Sequence, residues 1–285
     1  MGDWYRQVVF RIKRLQTMQR INCGLARAAA VRAGQRIDPA DPLSWEFSGL
    51  SQNGEDGIAE FLVNQLRASN RYFVEIGASD GTENNTSWFA VARRWQGVMV
   101  EGDAAKAAYG AFIMGGLNIG VRVLNRFVDL DSLDALCGEF GEMEPDFFSL
   151  DIDGIDYHVA EGLLARGFRP RIAVVEYNSC FGHERAVTIP YAPRFDYRAA
   201  HSSQLYYGAS VAAWRKLWEG AGYRFVTVDG NGVNAFFVRS DCIDAPVQQQ
   251  WRGLPFRENF FQRTRHGGDW RTQSALIAHL PLMQV

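Results

Sequence analysis

The chain reads as an α/β fold: a seven-stranded, mostly parallel sheet that ends in an antiparallel hairpin and is preceded by a helical arm. Three observations predict it. Short apolar runs alternate with longer stretches of helical periodicity from about residue 50 to residue 221, the pattern of a parallel sheet covered on both faces. The first of these runs passes straight into a glycine-bearing turn, Tyr72-Phe-Val-Glu-Ile-Gly-Ala-Ser-Asp-Gly-Thr82. Near the C-terminus, two apolar runs between Tyr223 and Val238 flank Asp229-Gly-Asn-Gly232, a hairpin signal that brings one antiparallel strand into the sheet.

Taken in order, the first 36 residues carry eight cations (Arg6, Arg11, Lys13, Arg14, Arg20, Arg27, Arg32 and Arg36) against one acid, Asp3. Trp4, Val8, Ile12, Leu15 and Met18 recur at helical spacing, which predicts a basic amphipathic helix. Two roles stand open for it: peripheral contact with an anionic membrane, or packing against its own domain or a partner protein, such as another subunit of a homo-oligomer. Pro39-Ala-Asp-Pro42 breaks the helix. Beyond it the pattern predicts helix 52–68, strand 72–76, helix 84–94, strand 98–101, helix 104–112, strand 121–127, helix 130–140, strand 147–150, helix 156–166, strand 172–175 and helix 210–221. The expected organisation is an arm over 1–45, a principal domain over 46–245 and an extension over 246–285, whose aromatic, Arg-rich sequence suggests no chemistry of its own.

With 285 residues, 47% hydrophobic and 13% aromatic, the chain can bury one large core. A net charge of -2 gives no global reason to expect a nucleic-acid partner. Cys23, Cys137, Cys180 and Cys242 are widely spaced and form no C-x-x-C pair, so neither a zinc site nor a disulfide framework is suggested and a reducing compartment is expected. No apolar run approaches a membrane span and no signal-peptide core is visible, so a cytoplasmic location is expected, with the arm as the one element that could reach the inner face of a membrane.

The glycine turn is the most informative local feature. A dinucleotide site needs G-x-G-x-x-G opening a helix whose N–H groups hold pyrophosphate, whereas Glu75 and Asp80 in this turn would repel phosphate. S-adenosylmethionine, with its sulfonium, ammonium and ribose diol and no phosphate, suits the turn better. Glu101 ends the next strand, 24 residues after Gly77, where a carboxylate can accept hydrogen bonds from ribose hydroxyls.

Ser51-Gln-Asn-Gly-Glu-Asp-Gly57, the glycine turn with Asn84-Asn-Thr86, Val100-Glu-Gly-Asp103 and Ser149-Leu-Asp-Ile-Asp-Gly154 together resemble the FkbM-type branch of class I S-adenosylmethionine-dependent methyltransferases. The likeness spans roughly residues 50 to 240 in order. It implies a Rossmann-like fold and methyl transfer to a hydroxyl, commonly that of a sugar or glycan. Carried onto this sequence, its motifs imply a cofactor set of Gln52, Glu75, Gly77, Ala78, Asp80, Gly81, Asn85, Thr86, Glu101, Gly102, Asp103 and Asp151.

Chemistry is expected at the carboxyl ends of strands four and five. Asp151 and Asp153 end the fourth strand, and Glu176 and Asn178 the fifth; Asp151, Asp153, Glu176 and Asn178 form a hard oxygen set suited to Mg²⁺. A similar distribution marks the metal-dependent O-methyltransferases, which this region resembles in arrangement. A cation would stabilise the acceptor alkoxide; without one, Asp151 or Asp153 would act as general base. The competing reading of Asp153 is that Asp153-Gly154 only caps the following helix. His183 and His201 lie in the irregular segment 179–204, of a length common for lids, and either could take the proton. His158 reads as a packed residue. Tyr191, Phe195, Tyr197, Tyr206 and Tyr207 could stack on sugar faces or pack the lid. Two other function classes share this α/β pattern: a nicotinamide-type oxidoreductase acting on a sugar, and a non-catalytic scaffold.

Overall fold

The computed structural model describes residues 3–285. Its strands are β1 (Tyr72–Ile76), β2 (Gln96–Glu101), β3 (Val121–Asn125), β4 (Phe147–Leu150), β5 (Ile172–Glu176), β6 (Val187–Thr188), β7 (Tyr223–Val228), β8 (Asn234–Arg239) and β9 (Met283–Gln284). Seven of them form one sheet in the order β3-β2-β1-β4-β5-β8-β7. Strands β1 to β5 pair in parallel, while β8 runs antiparallel to both β5 and β7. The hairpin at residues 229–232 therefore delivers the antiparallel strand the sequence predicts. A separate two-stranded ribbon joins β6 to β9.

The helices are α1 (Asp3–Gly34), α2 (Glu55–Val63), α3 (Ser87–Val91), α4 (Ala104–Leu117), α5 (Leu133–Glu139), α6 (Asp156–Ala165), α7 (Tyr197–Ala200), α8 (Val211–Gly220), α9 (Ala245–Gln250), α10 (Phe260–His266) and α11 (Trp270–Leu276). Alternation along the strands sends side chains to two separate cores. Val74, Ile76, Phe148 and Leu150 meet residues of α5, α6 and α8 on one face; Phe73, Met99, Phe147 and Val174 meet α2, α3, α4 and part of α1 on the other. Each fully buried Phe contributes roughly 1.5–3 kcal/mol.

Helices α2 and α3 are the most shortened relative to their periodicity, and each start has a local reason. Helix α2 starts at Glu55 rather than at residue 52 because Asp56 Oδ2 accepts the N–H groups of Gly49, Leu50 and Ser51 (2.7, 2.6 and 3.0 Å), folding that stretch into a loop. Helix α3 starts at Ser87 rather than at residue 84 because Asn84, Asn85 and Thr86 turn their donors to Glu75. It ends at Val91, and Arg94, with φ 52°, turns the chain out of the helical region altogether.

Helix α1 divides into two halves. Ile21 and Ala28 are buried in the second core, and Arg27 ties the helix to the carbonyls of Ser48 and Gly49. Toward its start, Tyr5, Val9, Ile12 and Leu15 are exposed. The side chain of Trp4, which the sequence reading assigns to this helix, lies outside the described residues. Among the described residues, no helix is long and apolar enough to cross a membrane.

Candidate active site

The strand order reverses between β1 and β4, the position at which open parallel sheets admit ligands beyond the carboxyl ends of their strands. A cleft of about 450 Å³ opens there, walled by the ends of β1, β2, β3 and β4. Gly77 forms its floor. Its φ is +91°, and a Cβ there would stand 1.5 Å from the carbonyl oxygen of Asp151, so only glycine lets β1 leave the sheet beneath the end of β4. The N–H groups of Gly77 and Ala78 both donate to Val100 O (2.9 and 3.0 Å). Glu101 braces the two turns that meet at this point: Oε2 accepts from Ser79 N–H and Oε1 from Asp103 N–H, each at 2.7 Å. Each of its oxygens keeps a further lone pair for a ligand.

Behind this wall lies a polar network that holds the turn. Glu75 is buried and accepts from Asn84 Nδ2, Asn85 N, Thr86 N and Thr86 Oγ1. Burial pushes its carboxyl up to about 7 against the opposing pull of those donors. Asn85 also reaches Ser149 Oγ on β4 (2.9 Å), and Asp80 holds Thr82 Oγ1 (2.6 Å). Of the expected cofactor residues, Gly77, Glu101, Gly102, Asp103 and Asp151 line the cleft, and Gln52 lines a neighbouring mouth. Glu75, Ala78, Asp80, Gly81, Asn85 and Thr86 stand outside the lining and support it. Asp103 also caps α4: hydrogen bonds from the N–H groups of Lys106 and Ala105 hold its carboxyl below the usual range.

The second opening, of about 270 Å³, adjoins the cleft and shares Asp151 and Asp153 with it. Carboxylate oxygens of Asp151, Asp153 and Glu176 lie within 4.8 Å of one another, and all three residues are half-buried. Burial, then the charges of Asp153 and Asp156, drives Asp151 well above the carboxylate range; burial, then Asp151 and Asp153, does the same to Glu176. Asp153 is raised to about 6, by burial and then by Asp156. Asp153 does not cap the following helix, whose N-cap position is Ile155 with no side-chain cap bond; Asp156, in its first turn, reaches back to accept from Ile152 N (2.7 Å) and Gly154 N (2.8 Å) and fixes the loop that carries Asp153. Asp153, with φ +53°, stays on the wall of both openings.

Asn178 stands apart from this trio. It is fully buried: Nδ2 donates to Leu205 O (2.7 Å) and Tyr207 O (2.9 Å), and Oδ1 accepts from Cys180 N (3.1 Å) and Gln262 Nε2 (3.2 Å). With every donor and acceptor engaged, the amide anchors the segment after β5 and leaves a metal set of three carboxylates rather than the expected four residues. His183 and His201 also fall outside both openings. His183 is exposed against Phe256 and Trp270, and His201 binds Ser203 Oγ (2.8 Å) beside His279. Neither lines the cleft or the mouth beside the trio. His158 is a packed residue, buried and bonded to Ile189 O (2.9 Å).

Several lining residues were not foreseen from the sequence. Arg126, Phe127 and Val128 close the cleft from the loop after β3, and Lys106 does so from the first turn of α4. The C-terminal extension also reaches the site: Gln262, Arg265 and His266 of α10 line the mouth. Gln262 Nε2 donates to Tyr207 Oη (3.1 Å), which in turn donates to Glu176 Oε1 (3.1 Å). Of the five candidate stacking aromatics, Phe195 lines the cleft, and Tyr197 and Tyr207 line the mouth.

No protein-family model matches the chain, and no curated protein sequence matches it. Solved structures resemble it at low identity. The O-methyltransferase from Bacillus cereus, in complex with SAH, is 17% identical over 77% of this chain and 89% of its own, with a TM-score of 0.42. The geranyl diphosphate C-methyltransferase from Streptomyces coelicolor A3(2) is 15% identical over 74% of this chain and 72% of its own (TM-score 0.41). A SAM-dependent methyltransferase from Aquifex aeolicus is 12% identical over 64% of this chain and 89% of its own (TM-score 0.37). Likeness at this level carries no argument about chemistry, which has to come from the site itself.

Proposed function

We propose that this chain is an S-adenosylmethionine-dependent methyltransferase of the FkbM-like type, acting on a hydroxyl group of a sugar or glycan. One observation carries the reading: two cavities of different character meet at Asp151 and Asp153. The cleft would hold the cofactor, with the ribose diol on Glu101 and the backbone of Gly77 beneath it. Four carboxylates line this cleft (Glu101, Asp103, Asp151, Asp153) against two cations, Lys106 and Arg126, a balance that favours a sulfonium and an ammonium over a pyrophosphate. The mouth would admit the acceptor. Its walls combine amides, hydroxyls and aromatic rings from Gln52, Asn53, Gln262, Tyr197 and Tyr207, a lining suited to a polyhydroxylated ring.

Bound in the cleft, S-adenosylmethionine would supply its methyl group to the acceptor oxygen and leave as a neutral thioether, and the hydroxyl proton would have to go to a base of this chain. Asp153, raised to about 6 by burial and the charge of Asp156, is ionised at neutral pH yet more basic than an ordinary carboxylate, which suits it to accept that proton. Glu176 is held by Tyr207 and orients the far wall. Asp151, Asp153 and Glu176 fit a hard divalent cation in donor type and spacing. Bound there, such an ion would stabilise the acceptor alkoxide and orient vicinal oxygens.

Calorimetric titration with S-adenosylhomocysteine, followed by mass spectrometry of candidate sugar and glycan acceptors, tests the reading. Asp151→Asn is expected to lower kcat by at least about tenfold, far more than it weakens S-adenosylhomocysteine binding, and chelation is expected to lower turnover with that affinity nearly unchanged. Full turnover after rigorous metal removal would leave the carboxylates as proton acceptors only. Binding of a reduced nicotinamide cofactor, with no affinity for S-adenosylhomocysteine, would replace the reading with that of an oxidoreductase. We further propose that the basic arm rests on an anionic membrane surface, for reasons that belong to the scale of the whole molecule.

A further inference from the structure

Beside the mouth lies a larger groove, of about 660 Å³, that the chemistry above does not use. One wall is the second half of α1, through Arg20, Cys23, Arg27 and Val31; the other is the loop from Ser48 to Gln52. Mouth and groove share Gln52 and Phe261 as common walls. Since mouth and cleft share Asp151 and Asp153, the three openings form one track, from the glycine turn past the carboxylate trio to the basic helix. The groove is pre-formed. Gly24 packs against the loop so closely that a Cβ would stand 2.0 Å from Gly49 O, and Asp56 fixes the loop by its three main-chain hydrogen bonds.

The groove is cationic where the mouth is acidic. Arg27 donates to Ser48 O (2.8 Å) and Gly49 O (3.3 Å), and among the described residues no carboxylate pairs with it. Arg20 holds Glu83 at 2.9 Å at the exposed rim. At the junction stands Phe261, 52% exposed, an apolar ring that matches the C–H face of a pyranose. Resting on the methyl-transfer reading for the identity of the mouth, we infer that this groove binds the continuation of the acceptor: an acidic oligosaccharide whose further units stack on Phe261 and present carboxylates to Arg27 and Arg20. The methylated sugar is then one unit of a chain, and the chain is recognised beyond the reacting unit.

The test is direct binding to protein loaded with S-adenosylhomocysteine, using galacturonic acid as monomer, trimer and hexamer and neutral glucose oligomers of the same lengths. Affinity is expected to rise at least about tenfold from monomer to hexamer in the acidic series and less in the neutral one. Arg27→Ala is expected to remove roughly tenfold of the acidic hexamer's affinity, the scale of one charged hydrogen bond, and to leave the monomer unchanged. Because Arg27 also ties α1 to the loop, a second readout uses the unaltered protein: Cys23 is exposed on the groove wall, and bound hexamer is expected to slow its alkylation several-fold. Equal affinity along the acidic series, or Cys23 alkylation that the hexamer does not slow, overturns the inference. A hexamer that binds and protects Cys23 but is never methylated removes the methyl-transfer reading and leaves the groove. Methylation of the monomer with no dependence on length does the reverse.

Discussion

Glu101 shows how one carboxylate can brace the fold and still stand on the wall of a cleft. Its two oxygens take the N–H groups of Ser79 and Asp103, fixing the ends of the glycine turn and the start of α4, and each keeps a lone pair over the cleft. Glu101→Ala is therefore expected to weaken S-adenosylhomocysteine binding by ~1–3 kcal/mol, the range for a lost hydrogen bond to a charged group, in a protein that still folds. Calorimetry that finds the affinity unchanged in a folded variant would take Glu101 out of the site. The place of Glu101 on the cleft wall was legible in the sequence because this residue ends the strand that follows the glycine turn. Arg126, Phe127 and Lys106 were not legible, because nothing in a linear sequence says that the loop after β3 folds over the end of β2. Asn178 looked like a ligand for the opposite reason: its residue type and its position after β5 suit a metal, but only the fold reveals that Leu205, Tyr207, Cys180 and Gln262 already use its amide.

Between elements, the Glu75 network is what joins β1 to the start of α3, and it explains why periodicity located the strands better than the helix ends. Strand runs are set by burial on both faces, which composition reveals. The starts of α2 and α3 are set by buried carboxylates, Asp56 and Glu75, that draw main-chain donors out of the helix, and a sequence pattern does not record where a carboxylate points. A measurable consequence follows for Glu75. Its carboxyl moves from 4.5 to about 7 on folding, because burial outweighs the donors from Thr86 and Asn85. Between those values the folded chain binds more protons than the unfolded one, so stability is highest below about pH 4.5, falls as pH rises toward 7, and is level above that. The loss from Glu75 alone is roughly 3 kcal/mol. Burial also raises Glu46 and Asp229 to about 7, which adds in the same sense. Urea unfolding at about pH 5.5 and about pH 7.5 is expected to find the protein more stable at the lower value, and Glu75→Gln is expected to reduce that difference, leaving the share of Glu46 and Asp229. Identical pH dependence in the variant would mean that Glu75 does not change its proton count on folding.

For the whole molecule, the open question is what covers the first half of α1. Tyr5, Val9, Ile12 and Leu15 recur every three or four residues and are 49%, 47%, 50% and 65% exposed, so they form an apolar stripe that the protein's own core does not take. The domain side of the same helix is already occupied: Phe10 packs on Tyr109 and Phe112 at 6.0 and 4.9 Å, Lys13 lies over the Tyr109 ring, and Thr17 bonds to Tyr109 Oη at 2.7 Å. No acid occurs between Asp3 and Asp38, so a second copy of this helix would meet it with like charge. An anionic lipid surface would instead receive both the stripe and its flanking cations. The protein is accordingly expected to bind phosphatidylglycerol vesicles, and to bind them less well as salt rises, since a higher ionic strength screens the attraction. Replacing Ile12 and Leu15 together by Glu is expected to weaken that binding by roughly a hundredfold, from two apolar side chains at about 1.5 kcal/mol each, with S-adenosylhomocysteine affinity unchanged. Vesicle binding that ignores both salt and the double substitution would exclude the lipid role. A concentration-dependent dimer that the same substitution dissociates would identify the occupant of the stripe as a second copy of the chain.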